Sequence, residues 1–250
     1  MSKIRSTTHE LTLLFRSIPS PIMSVFVVSV VAMNLLANKS ISLPFDWLAL
    51  DCGIVVSWIA FLSMDIITKH FGPKAATEAS LFASAVNLLV CAIFFISSRL
   101  PGVWGESFVD GSENIINGAL DATLGGTWYV LFGSTVAFIV SAFVNNFVNS
   151  AIGKMTKSDG FFAYACRTYI STAIGQFTDN ITFALIVSHF FFGWSFMQCV
   201  MCAATGMVVE LLCEVVFSHT GYMICKKLKD DKIGEEYFAY IREKKQCSHS

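Results

Sequence analysis

The residues best suited to chemistry lie in one polar stripe within an apolar stretch of the chain. Arg167 and Asp179 share a row of four-residue spacing, and Gln176 and Asn180 lie in the row beside it, so a helix would carry all four on one face. Charge is costly in hydrocarbon, so an arginine and an aspartate there need a partner, a cavity or a function. The stripe predicts a water-filled or ligand-filled interior. The alternative is a set of hydrogen bonds that only holds helices together.

Further acidic residues extend this pattern. Glu210 and Glu214 are one helical turn apart, and two like charges so close disfavour joint ionisation. Either one is protonated, or a basic residue such as Arg167 neutralises it, or a ligand donates hydrogen bonds to it. Depth along the predicted helices separates two groups. The expected inner group, an ion-paired plug, contains Asp65, Asn145, Asn146, Arg167 and Glu214. The expected middle group, a ligand pocket, contains Asn87, Gln176, Asp179, Asn180 and Glu210.

Several kinds of chemistry have no motif in this sequence. It has no phosphate-binding glycine loop, no nucleophile elbow and no paired-histidine metal motif. Its eight cysteines lie mostly in apolar stretches without paired spacing, which favours buried thiols over disulfides or zinc sites. We therefore expect no catalytic residue, no metal, no cofactor and no nucleic-acid partner.

The elements that must position these residues are membrane-spanning helices. Hydrophobic residues make up 54% of the 250 residues and charged residues 14%, and the mean hydropathy is +0.62, which exceeds what a soluble core requires. Since a spanning helix needs roughly 20 apolar residues, six spans are predicted, at about 18–37, 47–68, 75–97, 127–150, 161–191 and 194–217. The predicted fold is an all-α integral membrane protein, a bundle of six transmembrane helices. It comprises an N-terminal segment at 1–17, a transmembrane domain at 18–222 and a tail at 223–250.

The basic residues predict the orientation, because Lys and Arg beside a span resist translocation. With both termini in the cytoplasm, only Lys39 and Arg99 fall on the outer side. A multi-pass protein with cytoplasmic termini is therefore expected. The tail from Cys225 onward mixes both signs of charge, so it is predicted to be a solvated helix with a frayed end. The alternative is a basic surface on anionic lipid.

Two motifs carry a resemblance to a known family. Residues 50–53 read LDCG and residues 61–76 read FLSMDIITKHFGPKAA, across the second and third predicted spans. Further matches are Arg167, Ser171, Thr172, Gln176 and Asp179 at the spacing of the family's fifth span, with Asn34 and Asn38 in the first. The chain resembles the queuosine precursor transporter family, also called the vitamin uptake transporter family, over roughly residues 25–220.

Three positions depart from the family's pattern. The family usually has an acidic residue at the position of Lys69, a threonine at Asn180 and a proline near Val216. These changes bear on the exact substrate more than on the fold.

The resemblance implies uptake of a purine-like 7-deazaguanine, such as 7-cyano-7-deazaguanine, across the plasma (inner) membrane. It also implies a six-helix bundle similar to the substrate-binding components of energy-coupling-factor transporters. A deazaguanine presents a donor edge that a carboxylate accepts, a carbonyl suited to an amide, and a flat face for an aromatic ring. Glu210 or Asp179 is the candidate for the first role. Candidates for the second are Gln176, Asn180 and Asn34, and for the third Trp58 or a phenylalanine.

Three other interpretations stay open at this point. The first is a binding component for another small vitamin, which needs energising partner subunits and docks them through alanines one turn apart. Here Ala32 and Ala37 are five apart, which favours a stand-alone carrier in the bilayer. The second is a non-transporting membrane scaffold whose polar stripe binds a partner helix. The third, an intramembrane enzyme, lacks paired catalytic geometry.

Overall fold

The computed structural model describes residues 2–41, 43–104, 113–155 and 161–247. Its elements, in chain order, are α1 (Ser2–Ser17), α2 (Ser20–Leu36), β1 (Ser40–Ile41), β2 (Leu50–Asp51), α3 (Ile54–Phe71), α4 (Pro73–Ser97), α5 (Glu113–Met155), α6 (Phe161–Phe183), a π-helical turn (Ala184–Ser188), α7 (His189–Phe191), α8 (Phe196–Asp230) and α9 (Glu235–Cys247). Helices therefore dominate the described part of the chain. A small sheet pairs β1 with β2 in antiparallel orientation.

Within the described residues, four helices are long and apolar enough to cross a membrane. They are Ile54–Phe71, Pro73–Ser97, Ile115–Ser141 and Phe196–Phe217. A fifth candidate is the pair Thr8–Ser17 and Ser20–Leu36, which is bent by 100°. The prediction of an all-α membrane protein is confirmed. The count of six spans stays a prediction, because α6, which carries the polar stripe, is not among these helices.

The predicted second span, 47–68, begins too early. Leu50–Asp51 instead pairs with Ser40–Ile41 in a short hairpin, and α3 begins only at Ile54. A run of apolar residues that leads into a helix does not reveal where the helix starts, since short apolar strands share the same composition.

Three helix boundaries follow from local sequence. Gly72 has a φ of 94°, a left-handed conformation that ends α3 cheaply, and Pro73 begins α4, where its missing N–H costs nothing. At the start of α8, Gln198 N–H donates to Ser195 Oγ (3.3 Å) and Ser195 N–H donates to Gln198 Oε1 (2.8 Å). This reciprocal capping box satisfies two backbone donors that the helix cannot use.

The chain divides into two compact units. Unit one contains Met1–Val30, Ser57–Val86 and Cys213–Ser250, and unit two contains Val31–Val56 and Asn87–Leu212. The residues of the polar stripe that the structure describes fall in unit two.

In unit one, the C-terminal helix packs on the N-terminal one. α9 lies against α1, Tyr237 is only 4% exposed, and the ring of Phe238 stacks on Phe71 at 5.8 Å. Gly234 has a φ of 88°, and a Cβ there would lie 2.7 Å from Phe71 Cε1, so the turn before α9 requires glycine. The tail helix is therefore docked, which differs from the solvated helix predicted, because aromatic residues along α9 supply a buried face.

In unit two, α5 packs along α6. Ala37, Val130 and Val187 form one buried cluster. A second cluster joins the hairpin to the later helices through Ala49, Trp194, Cys199 and Cys202. The hairpin and the helices that carry the polar stripe thus belong to one packed body.

Candidate functional site

Two neighbouring residues of α6 reach side chains on two other helices. Asn180 Nδ2 donates to Glu210 Oε2 of α8 (3.3 Å), and Ser141 Oγ of α5 donates to Asp179 Oδ1 (3.0 Å). Glu210 is only 5% exposed. We call Asp179, Asn180 and Glu210 the polar site. It brings together three of the residues that the sequence predicted for a ligand pocket.

The close approach of α6 and α8 depends on a glycine one turn before Glu210. A Cβ at Gly206 would lie 2.7 Å from Asn180 Nδ2, which is closer than real Cβ contacts allow. The amide of Asn180 therefore occupies the space that a side chain at 206 would fill. This contact explains why a small residue stands on the same face of α8 as the glutamate.

A third carboxyl group belongs to this neighbourhood. Asp51 in β2 and Asp179 both act electrostatically on Glu210. Gly53 N–H donates to Asp51 Oδ1 (2.8 Å), and a Cβ at Gly53 would lie 2.7 Å from the backbone oxygen of Met33. The hairpin is therefore pressed against α2. Burial raises the pKa of Asp51, which precedes the spanning helix α3, to about 6.

The motifs in the sequence did not assign Asp51 to the site. The signal that could have found it is the Asp-x-Gly spacing at 51–53. An aspartate two residues before a glycine commonly bonds the glycine N–H in a tight turn, and that turn folds the carboxyl inward here.

Among the described residues, three amide side chains have a buried atom without a hydrogen-bond partner. They are Gln176 Oε1, one turn before Asn180 on α6, Asn87 Nδ2 of α4, and Asn38 Oδ1. Asn87 is 2% exposed. A buried polar atom left unpaired costs about 1–3 kcal/mol, so water or a ligand is the physical remedy in a polar interior. Asn87 belongs to the middle group of residues that the sequence predicts for a ligand pocket.

The other predicted binding residues have separate surroundings. Asn34 is buried in α2 (4% exposed) and belongs to unit two. Trp58 belongs to unit one, where its ring stacks on Phe217 at 4.5 Å, so one face of the indole is already covered by protein.

The structure describes the side chain of one residue of the predicted ion-paired plug, Asp65. Asp65 lies 3.6 Å from Lys69, one turn away on α3. The side chains of Asn145, Asn146, Arg167 and Glu214 lie outside the described residues, so their pairing stays a prediction.

The profile of the family described as "Putative vitamin uptake transporter" matches residues 51–224, which is well over half of the chain. The chain belongs to this family. The queuosine precursor transporter family is the same family, so the resemblance drawn from the motifs is confirmed. No curated protein and no solved structure matches the chain.

The part that matches the vitamin uptake transporter family contains the whole polar site. The matched residues begin at Asp51 and include Gln176, Asp179, Asn180 and Glu210, while Asn34 precedes them. The carboxyl groups of the polar site therefore belong to a multi-pass membrane protein of a transporter family.

Proposed function

We propose that the chain imports a queuosine precursor, 7-cyano-7-deazaguanine or a related 7-deazaguanine, across the plasma membrane, and that the polar site binds it. The observation that carries the proposal is the buried Asn180–Glu210 hydrogen bond with Asp179 beside it, inside a family of uptake transporters. Ligand sites typically combine an apolar wall with a few convergent polar groups of this kind.

The chemistry of the polar site suits a ligand rich in N–H donors. Carboxylates accept hydrogen bonds and donate none, and Asp179 and Glu210 together offer more acceptor positions than Ser141 and Asn180 fill. Gln176 Oε1 adds an acceptor that has no partner in the part of the chain that the structure describes. The ring N–H and exocyclic amino group of a deazaguanine form a donor edge that a carboxylate can accept in two parallel hydrogen bonds.

The remaining predicted roles belong to the same proposal. The amides of Asn34, Asn180 or Gln176 would donate to the ligand carbonyl, and Trp58 or a phenylalanine would stack on the ring. Asp65, Arg167 and Glu214 would form the inner ion-pair or coupling group. The topology proposed has both termini in the cytoplasm, in line with the basic residues there.

A stand-alone carrier is favoured over a component that docks energising subunits. Such docking would need an exposed row of alanines on an early helix. Ala37 is instead 4% exposed, because it packs against Val130 and Val187. Its methyl group is therefore unavailable to a partner protein.

The test is uptake of labelled 7-cyano-7-deazaguanine by cells that cannot synthesise it, with this chain as the only added component. Saturable uptake that Glu210→Gln abolishes, and that the matched surface variant Glu236→Gln retains, is the expected result. Binding by the purified chain without uptake would indicate a missing energising partner. If the cells show no uptake and the purified chain shows no binding, the proposed substrate is refuted. The scaffold interpretation or another vitamin then remains.

A further inference from the structure

The helix that carries the polar site contains a π-helical turn one turn beyond Asn180. The turn spans Ala184–Ser188, and His189 N–H donates to Ala184 O, five residues back. A π-helical turn contains one residue more than an α-helical turn, and such turns are rare and often lie at functional sites. Its position links the polar site to α7.

Side chains from two other helices bind the carbonyl groups of this turn. Tyr129 Oη of α5 donates to Ile186 O (2.6 Å), and Cys199 Sγ of α8 donates to Ala184 O (3.5 Å). Wide turns leave carbonyl groups poorly matched to their own helix, so an outside donor stabilises the π-helical form over the α-helical one.

The turn also lies unusually close to α5. A Cβ at Gly133 would come within 2.2 Å of Val187 Cγ2, and both Val187 and Ser188 are completely buried. Glycine at 133 therefore makes room for the widened turn. Tyr129 and Gly133 lie one turn apart on α5, so a single helix face both accommodates and hydrogen-bonds the turn.

The chain beyond the turn is fixed by its own contacts. His189 Nδ1 lies 2.5 Å from Trp194 O, Phe192 N–H donates to Ser188 O (2.9 Å), and Trp194 is 5% exposed. A change of the turn from π to α would shift the helix register by one residue. Because the far side is held, the resulting rotation of about 100° and translation of about 1.5 Å would fall on α6.

We propose that Tyr129 is a positioning residue for ligand binding, because its hydroxyl holds the π-helical turn and so fixes the rotation at which α6 presents Gln176, Asp179 and Asn180. A rotation of about 100° would carry Asn180 away from Glu210, since it moves a side chain by a full position around the helix. The identity of the ligand in this inference rests on the proposed function. The effect of Tyr129 on the rotation of α6 does not depend on which ligand is bound.

The first experiment compares hydrogen exchange in the purified full chain and its Tyr129→Phe variant, without ligand. Tyr222→Phe, which removes the hydroxyl of an exposed tyrosine on α8, is the matched control. Faster exchange is expected in Tyr129→Phe across 184–188 and also across 176–183. In the control variant, the exchange rates of both segments should equal those of the wild-type chain. Faster exchange confined to 184–188, or no change, would overturn the positioning role, whatever the substrate is.

The second experiment measures binding of labelled 7-cyano-7-deazaguanine to the same variants. Tyr129→Phe should weaken binding about tenfold, the effect of roughly one hydrogen bond. Deleting Leu185 removes the extra residue of the π-helical turn, so the Tyr129 hydroxyl is no longer needed to hold that turn. In this deletion variant, Tyr129→Phe should therefore change the affinity for the ligand little. An equal loss in both backgrounds would indicate direct contact with the ligand and overturn the proposal. If the wild-type chain binds none of the probe, the proposed substrate fails and the exchange experiment alone decides the positioning role.

Discussion

Buried carboxyl groups occur in both units, and their partners differ. In unit one, Glu10 of α1 is 4% exposed and accepts hydrogen bonds from Lys74 and from Lys244 Nζ, the latter at 2.6 Å. In unit two, Asp179 and Glu210 receive hydrogen bonds from a hydroxyl and an amide. Lysine ammonium groups compensate the first charge, whereas the described partners of the other two are neutral.

This difference separates a structural role from a binding role. A buried carboxylate with cationic partners is balanced, and removing it disturbs the packing of the helices that it joins. Burying carboxyl groups with neutral partners in an apolar interior costs free energy. Such groups typically occur where they bind a ligand, a proton or an ion. We therefore expect changes at Glu10 to affect folding and changes at the polar site to affect transport.

The largest expected effect sharpens that contrast at the polar site. Glu210→Gln keeps the shape of the side chain but replaces a carboxylate oxygen with an amide donor. Binding of 7-cyano-7-deazaguanine should weaken by about 10- to 100-fold, since hydrogen bonds to charged groups contribute about 1.5–3 kcal/mol. Equilibrium binding measures this, and unchanged thermal unfolding should accompany it. A fall in melting temperature without loss of affinity would make Glu210 a structural residue.

The next effect tests the other side of the contrast. Glu10→Gln leaves Lys74 and Lys244 without their shared carboxylate, so the docking of α9 on α1 should weaken by about 1–2 kcal/mol. The loss is limited because both lysine side chains are partly solvated. Thermal unfolding in detergent measures the loss, with the exposed Glu236→Gln as control. Ligand affinity should stay at the wild-type level, and a parallel loss of binding would contradict the separation of roles.

A steric change tests the contact between α6 and α8. Gly206→Ala places a Cβ 2.7 Å from Asn180 Nδ2, so the amide must shift and the Asn180–Glu210 hydrogen bond should be lost. Affinity should fall about tenfold, the equivalent of one hydrogen bond. Titration of the ligand measures this, and Gly118→Ala, where the structure leaves open space, is the matched control. Equal affinities in both variants would mean that the Asn180 amide does not organise the site.

The smallest expected effect concerns pH. The pKa of Asp51 is about 6 and its ordinary value is 3.8, so the group is mostly protonated at pH 5 and ionised at pH 7. Affinity for a donor-rich ligand should rise a few-fold over that range, since each ionised carboxyl strengthens the hydrogen bonds that it accepts. The raised pKa works against folding, so stability should fall as pH rises from about 4 to about 6. Asp51→Asn should flatten both profiles, while the exposed Asp46→Asn should not.

Much of the fold follows from composition and periodicity. Each of the six predicted spans overlaps a helix, because long apolar runs are the strongest signal a sequence carries. Predicted boundaries were wrong where another element shares the same composition, as at the β2 strand before Ile54. The docking of α9 was missed because Tyr237 and Phe238 stand among many charged residues, and only the tertiary contact with Phe71 and α1 accounts for their burial.

The site was predictable where helical spacing decides it. Asp179 and Asn180 lie on the polar stripe, and Glu210 stands one turn after Gly206, so their proximity agrees with simple helical geometry. Asp51 could not be found this way, because a hairpin rather than a helix brings it inward. The π-helical turn left no periodic signal at all, since one additional residue changes the register only once the helix packs on Tyr129 and Gly133.

The proposed difference between the two units requires that carboxyl groups with neutral partners bind the ligand. The direct measurement is equilibrium binding of labelled 7-cyano-7-deazaguanine to the purified wild-type chain, Glu210→Gln and Glu10→Gln. We predict saturable binding of equal affinity in the wild-type chain and Glu10→Gln, and binding weaker by about tenfold or more in Glu210→Gln. Absence of saturable binding to the wild-type chain, or equal affinity in Glu210→Gln, would contradict it.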